Sequence, residues 1–144
     1  MSAGAKIKAC AAALAAFLSM LGAAQAQTKE DLNNQVYSAG WIAGDLQWAE
    51  SRCTGTISAA HAERLAMDRL RDPATFERAA KDAFSFSVDS ASRASHRFSD
   101  ASASESARLG NLVECQVHEQ AYGPNGLLWP NAWVLPEGKA ITAK

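Results

Sequence analysis

The first 26 residues decide how much of this chain is available to fold. Lys6 and Lys8 form a short basic region, and residues 9–22 are an uninterrupted run of small and apolar side chains. Ala24 and Ala26 follow, and a signal peptidase reads small residues at two such positions. We therefore expect residues 1–26 to be a bacterial secretory signal peptide, cleaved after Ala26, and the mature protein to be periplasmic or secreted.

A membrane anchor is the alternative interpretation of this segment. A transmembrane helix needs about 20 apolar residues, whereas this run is shorter and is interrupted at Gln25. The sequence therefore predicts no stable membrane span after cleavage. The remaining 118 residues carry a formal charge of −3 and contain no basic run, so we expect one domain and no nucleic-acid partner.

Two cysteines remain in the mature chain, because Cys10 lies in the leader. In an oxidising compartment an even pair predicts a disulfide, here Cys53–Cys115. The competing interpretation is a metal site built on Cys115 and His118, whose C-x-x-H spacing places both on one helical face. The other histidines are isolated in the sequence, so a second ligand pair is missing. We expect the disulfide, with no metal and no cofactor.

Apolar periodicity predicts a long helix at about residues 29–52. Tyr37, Trp41, Gly44 and Trp48 recur at helical spacing on one narrow stripe. A second apolar line lies opposite, and a helix that is apolar on two sides is usually buried among its neighbours. That second line consists of Ile42, Leu46, Ala49 and Cys53.

The glycines of this helix carry a further prediction. Gly40 and Gly44 each cost up to about 1 kcal/mol relative to alanine in a helix, which indicates close approach of a backbone or a ring. The stripe itself has two interpretations, plain core packing or a ligand pocket lined by Trp41 and Trp48.

Capping residues predict the helices that follow. Gly55 ends the first helix, Ser58 caps a helix over residues 59–71, and Asp72-Pro73 opens a third. We expect residues 59–71 to direct Ala62, Leu65, Ala66 and Leu70 inward, and the third helix to bury one side formed by Phe76, Ala79, Ala80, Ala83 and Phe84.

The serine-rich segment is ambiguous. Residues 84–88 alternate with a period of two, which is a strand signal, but a lone strand would have no partner, so we favour a helix or a kink. The nine serines of residues 85–106 permit a flexible linker. Interleaved alanines and the lack of Gly and Pro favour instead a closely packed helix that continues to about Gln120.

Residues 122–144 differ in character from the rest. Three prolines and an Asn125-Gly126 turn forbid a continuous helix, yet Trp129 and Trp133 are too apolar to be left in water. Either this arm folds back and completes the core, with one of its tryptophans meeting the stripe of the first helix, or it is exposed and docks on a partner.

The sequence contains no haem, zinc-protease, nucleophile-elbow or phosphate-loop motif. His96 and Asp100 stand four residues apart on a predicted helix near many serines, and an exposed pair is the simpler interpretation than a Ser-His-Asp site. We therefore expect no catalytic residues and no enzyme.

Together these patterns predict an all-α protein, a small four-helix bundle (residues 27–121) with one disulfide and an irregular Trp/Pro-rich C-terminal arm (residues 122–144) packed on it. The favoured function is a non-enzymatic module that binds another periplasmic or envelope protein. The alternative is a small-molecule carrier with an aromatic pocket on the first mature helix. Oligomeric state stays open. The candidate ligand or partner surface comprises Tyr37, Trp41, Gly44, Trp48, Trp129 and Trp133.

Overall fold

A computed structural model describes residues 28–144. The predicted signal peptide and Cys10 lie outside the described residues. The chain divides after Leu32 into two compact units. In the described part of the first unit, Thr28 caps the start of a helix, since its Oγ1 accepts the backbone N–H of Asp31 at 3.2 Å.

The helical content confirms the all-α prediction, with four helices that pack as a small bundle over residues 33–144. The helices are α1 (Lys29–Arg52), α2 (Ala59–Arg71), α3 (Pro73–Ser95) and α4 (Ala103–Tyr122). A short 3-10 helix covers His96–Phe98, and a two-stranded antiparallel sheet joins β1 (Thr56–Ile57) to β2 (Trp133–Val134). None of the helices within residues 28–144 has the length and hydropathy of a membrane span.

Side-chain caps set the helix boundaries that the sequence predicts. The Ser58 hydroxyl accepts the N–H of His61 at the start of α2. Asp72 accepts the N–H of Thr75 at 3.2 Å, and Pro73 occupies the first position of α3. Hydrogen bonds from the Thr75 side chain and from its backbone N–H hold the pKa of the Asp72 carboxyl below its usual value. Both predicted starts are confirmed because an N-cap satisfies backbone donors that the helix itself cannot.

The prediction for the serine-rich segment is only partly correct. Residues 84–88 are helical, within α3, so the strand interpretation is wrong. The last helix ends at Tyr122, close to the predicted end at about Gln120, but the serine-rich segment is not one helix, because α3 ends at Ser95 and α4 starts at Ala103. Ser102 caps α4 through the N–H of Glu105, and the Ser106 hydroxyl donates to the Phe98 carbonyl at 2.6 Å. These bonds stabilise a reversal that lets α4 pack back on α3.

That reversal also separates His96 from Asp100. His96 belongs to the 3-10 helix, Asp100 to the turn that follows, and both side chains are exposed. The expectation that they share one helix is therefore wrong.

Glycine allows two helix backbones to touch, as the G-x-x-x-G spacing predicts. A Cβ at Gly40 would overlap the carbonyl oxygen of Phe76, and one at Gly44 would overlap that of Ala80. The partner that approaches is the backbone of α3, whose predicted inner side is buried at Phe76, Ala79, Ala80 and Ala83.

We expect Gly44→Ala to destabilise the fold by about 2 kcal/mol. The added methyl group forces α1 away from α3, and because it overlaps backbone atoms its cost lies at the upper end of the roughly 1–3 kcal/mol of overpacking. Helix propensity returns about 1 kcal/mol of that cost. Urea unfolding measures the change. Gln47→Ala, at an exposed position of the same helix, is the matched control and should change stability by less than about 0.5 kcal/mol. A neutral Gly44→Ala would contradict the close contact.

The predicted disulfide is confirmed. Cys53, at the end of α1, is bonded to Cys115 in the middle of α4, and both side chains are fully buried. Leu46 and Ala49, from the second apolar line of α1, are also buried. The inner face predicted for α2 is less well satisfied, since Leu65 alone is buried there and Leu70 is 80% exposed.

The C-terminal arm is partly core and partly exposed. Ala132, Trp133 and Ile141 are buried, and the Trp133 indole donates to the Thr54 carbonyl at 3.2 Å. Ala143 forms a bridge with Cys53 beside the two-stranded sheet, which the sequence did not predict. Pairing with the α1–α2 connection thus anchors the arm at its far end, while the turn after α4 leaves other apolar side chains in contact with solvent.

Candidate functional site

A cleft of about 120 Å³ opens where α1, α3 and α4 meet, and its floor is polar. Five polar side chains from these three helices line it: Asp45, Ser87, Glu114, His118 and Tyr122. Buried polar groups are uncommon in so small a bundle and are kept only when they bond to one another. This set, here called the polar floor, is the largest concentration of buried ionisable groups in the part of the chain that the structure describes.

Asp45 is the centre of the polar floor. Its Oδ2 accepts the Tyr122 hydroxyl at 2.5 Å, and its Oδ1 lies 3.3 Å from the Ser87 hydroxyl and 3.8 Å from His118 Nε2. Burial raises the pKa of the Asp45 carboxyl, and the Tyr122 hydrogen bond and the nearby imidazole oppose the rise only in part. Burial and the Asp45 charge likewise raise the pKa of the Tyr122 phenol.

His118 is fixed from three directions. Its Nδ1 lies 2.8 Å from the Glu114 carbonyl oxygen, and this ring nitrogen must carry a hydrogen because a carbonyl only accepts. Its ring stacks on the buried Trp48 at 5.2 Å between centroids. The Glu114 carboxylate lies 3.7 Å from Nδ1 and accepts the Ser90 hydroxyl at 2.6 Å. The imidazole therefore has one orientation, with Nε2 directed at Ser87 and Asp45.

Each buried side-chain nitrogen and oxygen of the described residues has a hydrogen-bond partner, but the polar floor still holds more lone pairs than donors. When both carboxylates are ionised they offer about eight lone-pair positions, while three hydroxyls and one imidazole face them. Ser87 is an example, since its hydroxyl oxygen lies 3.3 Å from both Asp45 Oδ1 and His118 Nε2 and its single hydrogen can be donated to only one of them. A further N–H donor would therefore find acceptors here.

Ser87, His118 and Asp45 are the residue types of a hydrolytic triad, but their geometry differs from one. In a triad the carboxylate bonds the imidazole nitrogen opposite the serine. Here Ser87 and Asp45 both face Nε2, and a backbone carbonyl takes Nδ1. Ser87 is also only 1% exposed, in the interior of α3. The arrangement is that of a hydrogen-bond network around a buried charge.

Apolar side chains surround the mouth of this cleft. Trp41 and Phe86 lie with their rings 6.0 Å apart, and Val117 and Leu128 complete the lining. Phe86, Val117 and Leu128 are 53%, 50% and 69% exposed. We call these four residues the apolar rim. Large apolar side chains that surround a polar pocket are a feature of interaction sites.

The stripe predicted on α1 divides between these two parts. Trp41 belongs to the apolar rim, with Tyr37 beside it at 6.3 Å, whereas Trp48 lies behind the polar floor and is 1% exposed. Gly44 faces α3 rather than the cleft. The residues that the sequence reasoning missed are the polar ones. Asp45 could have been recognised in the sequence, because it is a charged residue that interrupts the stripe between Trp41 and Trp48.

The two tryptophans of the arm lie elsewhere. Trp129 packs edge-on against His61 at 4.3 Å, with the Arg64 guanidinium over its ring at 5.3 Å. Trp133 is buried against Gly55 and the β1 connection. Among the described residues neither forms a ring pair with the stripe of α1, although Trp133 belongs to the same buried cluster as Trp48. Trp129 instead lines a second, wider cleft of about 690 Å³ between α1, α2 and the arm.

Within residues 28–144 no group of three or more His, Cys, Asp or Glu side chains is arranged to hold a metal ion, and Cys115, one half of the C-x-x-H pair, is in the disulfide. Comparisons with protein-family models, curated proteins and solved structures found no match.

Proposed function

We propose that this chain is an exported binding module that docks on another protein of the bacterial periplasm or envelope. Its apolar rim forms the contact, and the cleft inside the rim receives one side chain of the partner. The observation that carries the proposal is the exposure of Phe86, Val117 and Leu128 around a small cleft with buried polar side chains at its floor. Export rests on the signal-like residues 1–26, and a buried disulfide is compatible with it.

The size of the cleft favours a protein partner over a metabolite. Sites for drug-sized ligands occupy about 300–1,000 Å³, and this cleft is about 120 Å³. A pocket of this size accommodates one functional group. At protein interfaces the binding energy concentrates where one anchoring side chain fills such a pocket and apolar neighbours exclude water from it.

The double substitution Phe86→Ser and Leu128→Ser is expected to abolish partner binding while the fold stays intact. Both side chains are exposed, so their loss removes apolar contact area from the interface at little cost to the core. The test is affinity purification of the tagged protein from a periplasmic extract, with circular dichroism on each variant. Leu70→Ser, at an 80% exposed position of α2, is the matched control and should retain the partner.

Retention of the same partner by the rim double variant would contradict the proposal. So would recovery of the protein in the cytoplasm with residues 1–26 still attached, because the proposed partner is outside the cytoplasm. Mass spectrometry of the purified chain distinguishes these cases, since cleavage after Ala26 leaves Gln27 as the first residue.

A small-molecule carrier is the second candidate, and the wider cleft favours it. That cleft, about 690 Å³, lies within the range of ligand sites and is lined in part by Ile42, Leu65 and Trp129. The same purification separates the two functions. A carrier retains a small molecule whose loss follows substitution of Trp129 and not of Phe86.

A further inference from the structure

We infer that the side chain received by the cleft is a basic one, lysine or arginine, presented by the partner protein. This inference rests on the proposed docking function and names the chemistry of the docking pocket. Three independent observations carry it: the uncompensated charge of the polar floor, its shortage of hydrogen-bond donors, and the aromatic rings at its mouth.

The charge is uncompensated because two carboxylates share one imidazole. Asp45 and Glu114 both lie within salt-bridge distance of His118. The ion pairs that arginines form in residues 28–144 involve other carboxylates, at Glu77, Asp68 and Glu105. Even with a protonated His118, one negative charge is left when both carboxylates are ionised. A buried charge without a partner is costly, and burial accordingly raises the pKa of Asp45.

A basic side chain supplies what the polar floor lacks. An ammonium group brings three N–H donors and a guanidinium five, and neither accepts hydrogen bonds. Asp45 has lone pairs left after its bonds to Tyr122 and Ser87. A neutral amide would bring fewer donors and no charge, and an anionic group would add to the charge already present.

The mouth of the cleft suits the stem and the charge of such a side chain. Trp41 and Phe86 lie 6.0 Å apart at the cleft, and aromatic faces attract ammonium and guanidinium groups. The structure contains one example at this position, since the Arg93 guanidinium lies 5.8 Å from the centre of the Phe86 ring. Apolar walls also pack the methylene stem of lysine or arginine while the charged end reaches the carboxylates.

The test is an NMR titration of the full chain with Nα-acetyl-lysine methylamide. Its ε-acetylated form, which keeps the stem but has no charge, is the matched probe. We expect saturable shifts at the His118 ring and the Trp41 indole with the charged probe only, with a dissociation constant on the order of millimolar because one side chain supplies little contact area. Asp45→Asn should weaken binding by about tenfold or more, as expected for loss of a charge-assisted hydrogen bond.

Glu50→Gln, at an exposed carboxylate of the same helix, removes the same charge away from the cleft and should leave binding unchanged. Three results would overturn the inference that the cleft receives a basic side chain. They are equal binding of both probes, no binding of either probe, and binding of the charged probe to Asp45→Asn that is as strong as its binding to the wild type. Submicromolar binding of the charged probe alone would identify a small free amine as the ligand. It would overturn the inference that a partner protein presents the basic group. Loss of the partner in the rim double variant remains the separate test of docking itself.

Discussion

Reduction of the Cys53–Cys115 disulfide is expected to lower the free energy of unfolding by about 4 kcal/mol. The bond joins residues that are 62 positions apart, and in the chain-entropy model a loop of this length contributes about that amount by restricting the unfolded chain. The free energy of unfolding of a domain of this size is only about 5–15 kcal/mol. A single bond therefore accounts for a large share of the stability.

The local structure adds a reason for expecting a large effect. Cys53 is also the residue that pairs with Ala143, and the neighbouring Thr54 accepts the N–H of Thr142 on its hydroxyl at 2.9 Å. The disulfide thus lies where the end of α1, the middle of α4 and the end of the arm meet. Once the bond is broken, the end of α1 that the arm pairs with is no longer tied to α4, and the arm is held by the sheet, these hydrogen bonds and the burial of Trp133 and Ile141. We therefore expect the arm to detach before the helices unfold.

Urea unfolding with and without a reductant measures the effect, and the mass should rise by two hydrogens on reduction. The double variant Cys53→Ala and Cys115→Ala should match the reduced protein and should not respond to reductant, which controls for effects of the reagent. Hydrogen exchange in residues 133–144 should accelerate first. A reduced protein within about 1 kcal/mol of the oxidised one would show that native contacts, and not the cross-link, hold the arm.

Much of the fold could be predicted because its boundaries depend on local chemistry. Ser58 and Asp72 each cap a helix through a hydrogen bond to a backbone N–H three residues later, and that requirement is visible in the sequence. Gly44 was informative for a similar reason, since glycine inside a helix is unfavourable unless another backbone needs the space. Such features involve one residue and its immediate neighbours.

The misplaced elements depend on signals that are not unique or not local. Ser102 caps α4, but it stands in a run where many serines are equally able to cap, so composition alone does not identify it. The pairing of Ile57 with Trp133 joins segments that are far apart in the sequence, each only two residues long, and so leaves no periodic pattern.

The polar floor was missed because its members come from three helices. Glu114, His118 and Tyr122 recur every four residues on α4, which marks a shared face, and Asp45 interrupts the apolar stripe of α1. Each signal is weak alone, since charged residues at such positions usually face water. The packing of the helices brings these residues together. Gly44 permits that packing but does not specify it.

Replacing His118 by phenylalanine is expected to destabilise the protein by about 1–3 kcal/mol, the usual cost of leaving buried polar groups without their hydrogen-bond partner. Phenylalanine keeps the ring that stacks on Trp48, so the loss of stability reports the polar contacts. The substitution removes the ring nitrogens that face the Glu114 carbonyl and the Ser87 hydroxyl, and it removes the imidazole that lies near both buried carboxylates. His96→Phe, at an exposed position, is the matched control and should change stability by less than about 0.5 kcal/mol.

The pH dependence follows from the raised pKa of Asp45. A carboxyl whose pKa is higher in the folded state binds its proton more tightly there, so its contribution to stability is greatest in acid and is lost as the pH rises through the folded pKa. We therefore expect the free energy of unfolding of the wild type, minus that of Asp45→Asn, to fall as the pH is raised from 4 to 7. Glu105 should act in the opposite sense, because its pKa is lowered by Arg108.

The double variant His118→Phe and Asp45→Asn tests whether the two side chains are energetically coupled. Without His118, nothing opposes the burial of the Asp45 charge except the Tyr122 and Ser87 hydrogen bonds, so the loss caused by His118→Phe should shrink in acid as Asp45 takes up a proton. In the Asp45→Asn background that charge is absent at every pH, and the loss of stability caused by His118→Phe should be smaller at pH 7 than in the wild-type background. Equal losses in both backgrounds would mean that the two side chains are not coupled, and the carboxylates of the polar floor would then be balanced by some other group.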